Sequence, residues 1–432
     1  MTTRLRSLPP SVLRRCTIIS VLVVAIQAKS FGGLIPEHDF QGSAFGTSYS
    51  VKFVGGDQST VNDLNIQVNN LVEEIDQQMS LWRDDSELSR FNANTSDDWF
   101  PVSEDTARVV ESAITISQQT DGAFDPTVAP LVRLWSFGPE QKPLNVPTEE
   151  QISETRQHVG VDKIEVRSSP PALRKSDPAV RLDLNAIAKG DAVDRVAALL
   201  HRQMITEYMV EIGGEVRTLG THNDGRPWSI GIERPVTGIR EVQAVVDLRD
   251  LSLATSGDYR NYVETDGKRY SHTIDPRTGR PTEHSLASVS VIADDCMTAD
   301  AWATALIVLG PVEGRRMAED RGLAAMFVVH KGDGFSTFQT AAFPPTRAAQ
   351  INTPASNTVS TMLIAAGVFG LAILGMAIGV ILSNRRLQGS CGGLNGLKDE
   401  QGNPLCEACT RPVAECEQFR EQMAAAPPSE SS

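Results

Sequence analysis

Leu64, Val68, Leu71 and Ile75 recur every three or four positions, the repeat of one helix face, and predict an amphipathic helix over 61–81. Val109, Val110, Ala113 and Ile116 predict a second over 104–119. Ala192, Val196, Leu199 and Leu200 predict a third that starts near Lys189, and an apolar stretch at 300–309 predicts a short fourth. Between them, apolar and polar residues alternate as in half-buried antiparallel strands. The candidate strands are 47–54, 162–167, 180–184, 208–212, 228–232, 241–248, 251–255, 286–292 and 323–329. They come in runs and not in strict alternation with helices, which predicts an α+β layered fold in place of a Rossmann sheet. Proline-bearing stretches at 139–147 and 168–178 predict loops.

Two further apolar runs set the expected address. The first, 17–28, follows Arg4, Arg6, Arg14 and Arg15 and ends in Ala28. That describes a secretory signal in residues 1–30, either cleaved or kept as an anchor. The second, 359–382, carries no charge and is long enough to cross a hydrocarbon core of about 30 Å. Arg385 and Arg386 follow it, so the positive-inside rule puts residues 383–432 in the cytoplasm. The expected protein sits in a bacterial inner membrane. It has a periplasmic domain over 31–343, a linker over 344–358, one transmembrane helix and a cytoplasmic tail.

Composition narrows the function. With 41% hydrophobic and 22% charged residues the chain can bury a sizeable core. A net charge of −14 with no basic stripe argues against a phosphate-backbone binder, so nucleic acid is not an expected partner. Of six cysteines only Cys296 lies in the exported domain, which is consistent with a fold free of disulfides. Cys391, Cys406, Cys409 and Cys416 crowd the tail, where thiols stay reduced.

Polar and glycine-rich clusters stand at the ends of the predicted elements. They include Phe45-Gly46-Thr47, Ser80-Leu81-Trp82, Ala123-Phe124-Asp125, Gly213-Gly214 and Ala254-Thr255-Ser256-Gly257. Asp183-Leu184-Asn185-Ala186 runs into a helix at Lys189, whose N-terminal amides and cation suit a pyrophosphate. Glycine pairs let a backbone approach phosphates closely. Asp300 and Thr304 lie one helical turn apart and share a face, a pair of hard oxygen donors for Mg²⁺ or Ca²⁺. Each feature alone has a bland reading: a cap, a tight turn, a core tryptophan, a surface histidine. Together they point to an enzyme acting on a nucleotide phosphate with a divalent metal.

In this order the clusters resemble the ApbE family of FAD:protein FMN transferases, over about residues 40–335. The resemblance implies one ApbE/T-fold-like α+β domain of antiparallel sheets and flanking helices, with FAD in a central cleft. It also implies transfer of FMN from FAD to a Thr or Ser hydroxyl of a target protein, release of AMP, and use of Mg²⁺. Carried over by motif, Phe45, Ser80, Leu81, Trp82, Ala123, Phe124, Asp125, Asp183, Lys189 and Ile274 would contact FAD. Ala186, through its carbonyl, with Asp300 and Thr304 would hold the metal. His272 would accept the proton of the attacking hydroxyl, and a histidine with a pKa near 6.5 suits that role at neutral pH. Two positions depart from the pattern: Phe45 stands where the family usually has Met, and Ala303 where some relatives have an acidic residue.

On spacing alone the tail fits zinc, an Fe–S centre or transient iron, because Cys406 and Cys409 form one close pair while Cys391 and Cys416 stand singly. The segment 359–416 resembles NqrM, a maturation factor of Na⁺-translocating NADH:quinone reductase, through Ser390-Cys391-Gly392-Gly393-Leu394 directly after a membrane helix. The resemblance implies help with iron in that complex, whose flavoprotein subunits would be the flavinylation targets. Rival readings keep the same fold. One is an FAD pyrophosphatase, another a flavin-binding module without turnover, a third an iron-delivery membrane scaffold with a non-catalytic flavin domain.

Overall fold

Ala44 and Thr47 face each other across a two-residue turn, and this first hairpin starts an eight-stranded sheet whose strands lie side by side in chain order. The computed structural model describes residues 35–138, 146–236, 241–257, 262–265, 268–332 and 334–348, together with the single residue Phe369. The strands are β1 (Glu37–Ala44), β2 (Thr47–Val54), β3 (Tyr208–Ile212), β4 (Glu215–Leu219), β5 (Ser252–Gly257), β6 (Leu286–Ala293), β7 (Ala324–Lys331) and β8 (Gly334–Gln339). All seven pairings are antiparallel. The fold is therefore an antiparallel meander with insertions, the expected α+β class.

The helices are α1 (Gln58–Met79), α2 (Glu87–Ala93), α3 (Glu104–Gln119), α4 (Ala129–Leu134), α5 (Glu149–Arg156), α6 (Ala188–Arg202) and α7 (Cys296–Asp320). A capping box between Asp57 and Thr60 starts α1 three residues before the expected 61. Its Val61, Leu64, Val68, Val72 and Ile75 then pack in one apolar cluster with Tyr49, Val51 and Phe53 of β2 and with α6. α7 is longer than the predicted 300–309 because the helix resumes past Gly310, whose φ of 77° interrupts it just before Pro311.

The period of two along β6 and β7 sorts the core onto two faces. Val289, Val291, Ala325 and Phe327 join the cluster under α7. Ile292, Met326 and Val328 join a second cluster with Trp228, Ile230 and Ile232 on the other face. That second cluster is roofed by a three-stranded sheet in the order Thr346–Arg347, Val242–Leu248, Trp228–Glu233. β6 is buried on both faces over 286–292, Ser288 and Ser290 included.

Two expectations are corrected. Residues 180–184 are no strand, although Val180, Leu182 and Leu184 are buried alternately. Asn92 replaces the strand partner: its amide donates to Leu182 O at 2.8 Å and its oxygen accepts from Leu182 N at 2.7 Å, while Asp183 N–H donates to Pro126 O at 2.7 Å. Side-chain and loop groups satisfy this backbone, so no ladder forms. Residues 168–178 are in part a hairpin and not a loop, since Ile164–Ser168 pairs with Pro171–Lys175. Pro171 opens its strand, a position that needs no N–H donor.

Lys175, 1% exposed, donates to the carbonyls of Phe91, Asn92 and Val180, each at 3.2 Å, and burial pushes its pKa down to about 8 from 10.5. Between those pH values the unfolded chain holds the proton and the folded chain releases it, so stability rises with pH across that window. The unfolding free energy of the wild type should gain up to about 3 kcal/mol over Lys175→Met between pH 8 and 10.5 in denaturant titrations. A flat difference would remove the buried-charge account.

Among the described residues no helix is long and apolar enough to cross a membrane. The expected signal segment 1–30, the transmembrane span 359–382 apart from Phe369, and the four tail cysteines lie outside the described residues. The chain divides into two units, Met1–Gln350 and Ile351–Ser432, and every element named above belongs to the first.

Candidate active site

Two tight turns at one end of the main sheet begin the site. Phe45-Gly46 joins β1 to β2, with φ of 52° and 74°, and Gly213-Gly214 joins β3 to β4, with φ of 66° and 111°. Both have the positive φ at both central positions that a type I′ hairpin turn needs to match strand twist. Glycine adopts these at no steric cost, whereas a phenylalanine there is strained by about 1–3 kcal/mol. β2 pairs with β3 and Gly213 N–H donates to Ser48 O at 3.1 Å, so both turns face the same space.

The helices α6 and α7 form the floor. Lys189, the second residue of α6, pairs its Nζ with Glu215 Oε1 at 2.6 Å. The next residue, Gly190, donates its N–H to Asp300 Oδ2 of α7 at 3.1 Å. A Cβ on Gly190 would stand 2.4 Å from the Cys296 carbonyl oxygen, so only glycine lets the two helices approach this closely. One turn further along α6, the Asp194 carboxylate accepts from Cys296 N at 3.0 Å and Met297 N at 2.9 Å and is paired with Arg217. A carboxylate on the first amides of α7 satisfies donors that the helix cannot.

Burial dominates the electrostatics. It pushes the carboxyls of Glu215 and Asp300 above the ordinary range, and the Lys189 cation draws both back. Those two carboxylates in turn hold the Lys189 ammonium charged against its own burial. Glu215 Oε2 is a buried oxygen with no hydrogen-bond partner among the described residues. Across the cleft burial also raises Asp125 and Asp183. Asp125 accepts from Thr127 N–H at 2.8 Å and from Thr127 Oγ1 at 2.6 Å, and Asp183 accepts from Asn185 N–H at 2.9 Å.

These groups line one cleft of about 1430 Å³. It gathers Phe45, Ser80, Trp82, Ala123, Phe124, Asp125, Asp183, Ala186, Lys189, His272, Ile274, Asp300 and Thr304. Leu81 is the exception: it does not line the cleft and packs instead, half-buried, against the cluster under α7. Trp82 is 63% exposed at the rim, its backbone N–H donating to Ser80 Oγ at 3.2 Å. Ala303 is wholly buried in the core and offers no ligand.

Two residues of the site have partners that the sequence does not reveal. Glu215 is the counter-charge of Lys189, and Ser256 Oγ lies 3.1 Å from Thr304 Oγ1. Both adjoin conspicuous glycines, but nothing local announces that Glu215 faces a lysine 26 positions earlier (215 less 189). Among the described residues no group of three His, Cys, Asp or Glu side chains is placed to hold a metal ion. Asp300, Thr304 and Ala186 all line the cleft, and a carboxylate, a hydroxyl and a backbone carbonyl are the hard oxygen donors that suit Mg²⁺, which keeps waters and substrate phosphates among its ligands.

A cleft between a meander sheet and two helices, ordered by these motifs, has counterparts among known proteins. Residues 45–327 match the model of the ApbE family. The chain belongs to the ApbE family. Over 307 residues it is 45% identical to the FAD:protein FMN transferase of Vibrio cholerae, covering 70% of this chain and 91% of that one. It is 40% identical over 305 residues to the FAD:protein FMN transferase of Escherichia coli, covering 70% and 87%. Among solved structures, the flavin transferase ApbE from Vibrio cholerae superposes with a TM-score of 0.64 at 42% identity, covering 72% of this chain and 98% of that one. The apo form of Pseudomonas stutzeri flavinyl transferase ApbE gives 0.66 at 40%, covering 71% and 96%. This ApbE-family chain carries a second match: residues 380–427 fit the model of the (Na⁺)-NQR maturation protein NqrM.

Proposed function

We propose that this chain is an FAD:protein FMN transferase that attaches FMN from FAD to a Thr or Ser hydroxyl of a target flavoprotein and releases AMP. One observation carries the reading: in a chain whose relatives bear that name, a single cleft gathers a buried carboxylate, a paired lysine, a histidine and two glycine-bearing turns. Lys189 places a cation at the start of α6, on the cleft wall, and so holds the pyrophosphate. The phenyl ring of Phe45 and the indole of Trp82 bound the flavin end, and Asp125 and Asp183 orient the dinucleotide. His272 takes the proton from the acceptor hydroxyl as its oxygen attacks the FMN phosphorus. The phosphoanhydride bond breaks, and the bridging oxygen leaves with AMP. Mg²⁺, held by Asp300, Thr304 and the Ala186 carbonyl, would supply charge neutralisation at the phosphates.

The NqrM match supports subunits of Na⁺-translocating NADH:quinone reductase as targets. On this reading residues 359–382 cross the inner membrane, the transferase domain works in the periplasm, and Cys391, Cys406, Cys409 and Cys416 bind iron or zinc for the same complex in the cytoplasm.

The test is intact-mass spectrometry of a flavoprotein subunit of that reductase after incubation with this protein, FAD and Mg²⁺. A gain of one FMN is expected. Unmodified acceptor with FAD split to FMN and AMP would instead establish a pyrophosphatase. His272→Ala should retain FAD but lower the transfer rate by about 10²–10⁴-fold, the range for losing a general base. An unchanged rate would remove His272 from the chemistry.

A further inference from the structure

The strand Trp228–Glu233 is the last of its small sheet, and among the described residues it is paired on one side only, with Val242–Leu248. An open strand edge presents a row of backbone N–H and C=O groups that readily take another extended chain. Folded proteins usually blunt such edges with prolines or charges. The central stretch Ser229-Ile230-Gly231-Ile232 has neither; Pro227 precedes the strand and Glu233 ends it.

This edge borders the site already described. Ser229, Ile230, Gly231, Ile232 and Glu233, five residues in succession, all line the cleft. Successive strand residues point to opposite faces: Ile230 and Ile232 are buried in the apolar cluster below, while Ser229 and Gly231 are exposed. A wall made of both sets is the backbone edge itself and not one side-chain face. The cleft is also large for one small molecule, about 1430 Å³ against roughly 300–1,000 Å³ for ordinary ligand pockets. It has room for a dinucleotide and a peptide segment together.

We propose that the edge of Trp228–Glu233 is the docking site of the acceptor protein. An extended segment of the acceptor adds as a fourth strand to the small sheet and carries its Thr or Ser hydroxyl along the wall into the cleft. The proposal rests on the transferase reading, since that reaction alone demands that a protein hydroxyl enter this space. Recognition runs through the main chain, as in other strand-addition complexes, with side chains adding selectivity at alternate positions. On the exposed face Ser229 is tied to Asp247 and Arg347 at 2.7 Å each, and Gly231 presents no side chain, so that face makes little demand on the acceptor sequence.

The test uses the full chain in detergent with FAD, Mg²⁺ and a flavoprotein subunit of the sodium-pumping reductase. Gly231→Pro takes an amide donor from the edge strand; it should raise the acceptor KM about tenfold or more and leave the Kd for FAD unchanged. An unchanged acceptor KM overturns the proposal. Hydrogen exchange on the wild-type protein decides independently of whether that variant folds. An acceptor whose modified Thr is replaced by Val forms an unreactive complex, in which amides of 228–233 should exchange more slowly. No added protection there overturns the edge as a dock while wild-type transfer stands. Absence of FMN transfer by the wild type would sink the transferase reading, and the docking proposal with it.

Discussion

Asp300→Ala is expected to abolish flavin transfer, lowering its rate by about 10³-fold or more, the scale of losing a charge that acts on developing phosphate charge. Asp300 is a buried carboxylate on α7, held by the Gly190 N–H and in the field of Lys189. Alanine removes both the negative charge and the acceptor for that N–H, so its loss mixes chemistry with structure. Asp300→Asn separates the two. It keeps an oxygen for Gly190 and removes the charge, and should melt near the wild-type temperature while losing transfer as fully as alanine. Intact-mass rates and thermal melts of the pair check this. Full transfer by either variant at saturating Mg²⁺ would end the assignment of Asp300 to the metal.

The second large effect needs no charged residue. Gly190→Ala puts a Cβ 2.4 Å from the Cys296 carbonyl oxygen and 2.7 Å from Met297 Cα, both rigid backbone. Alanine favours a helix interior by roughly 0.5–1 kcal/mol over glycine, but overpacking costs about 1–3 kcal/mol. Separation of α6 from α7 also weakens the Gly190–Asp300 bond and the Asp194 bonds to the start of α7. The loss outweighs the gain, so the variant should melt lower. Because Lys189 and Asp300 sit on the two separated helices, transfer should fall by about 10²-fold even in the folded fraction, the penalty of a displacement near 1 Å. A more stable, fully active Gly190→Ala would show that the helices do not rely on this contact.

The two residues differ in how far the sequence reveals them. Asp300 is legible because its relation to Thr304 is local: four positions on a helix place both on one face whatever the rest of the chain does. The same holds for Lys189 at a helix start and for the two turns with glycine at their second position. Gly190 carries no such signal, since a glycine inside an apolar helix pattern says nothing about the backbone it will meet. The pairings of Glu215 and Ser256 are hidden for the same reason, as their partners come from distant elements. Leu81 errs in the other direction: it shares a motif with Trp82, but its side chain turns to the core while Trp82 reaches the rim.

Elements divide in the same way. Helices α1, α3 and α6 and the strands β2, β3, β6 and β7 are named by their apolar spacing alone. β1 buries only Phe40 and Ala44, and β8 buries nothing fully, so neither has a pattern to read. The segment 180–184 has the pattern without the partner, because Asn92, 90 residues away in sequence, takes the bonds that a neighbouring strand would take.

By itself, then, the sequence determined the fold class, the family resemblance and a set of candidate residues that, Leu81 apart, line the cleft, since each depends on spacing within a few positions. The tertiary structure alone decided which of them meet. It joined two hairpin turns through the pairing of β2 with β3, set Lys189 against Glu215, closed α6 on α7 at a residue without a side chain, and left the edge of Trp228–Glu233 unpaired among the described residues beside the site. Those contacts depend on register and on long-range packing, which no local pattern of apolar and polar residues encodes.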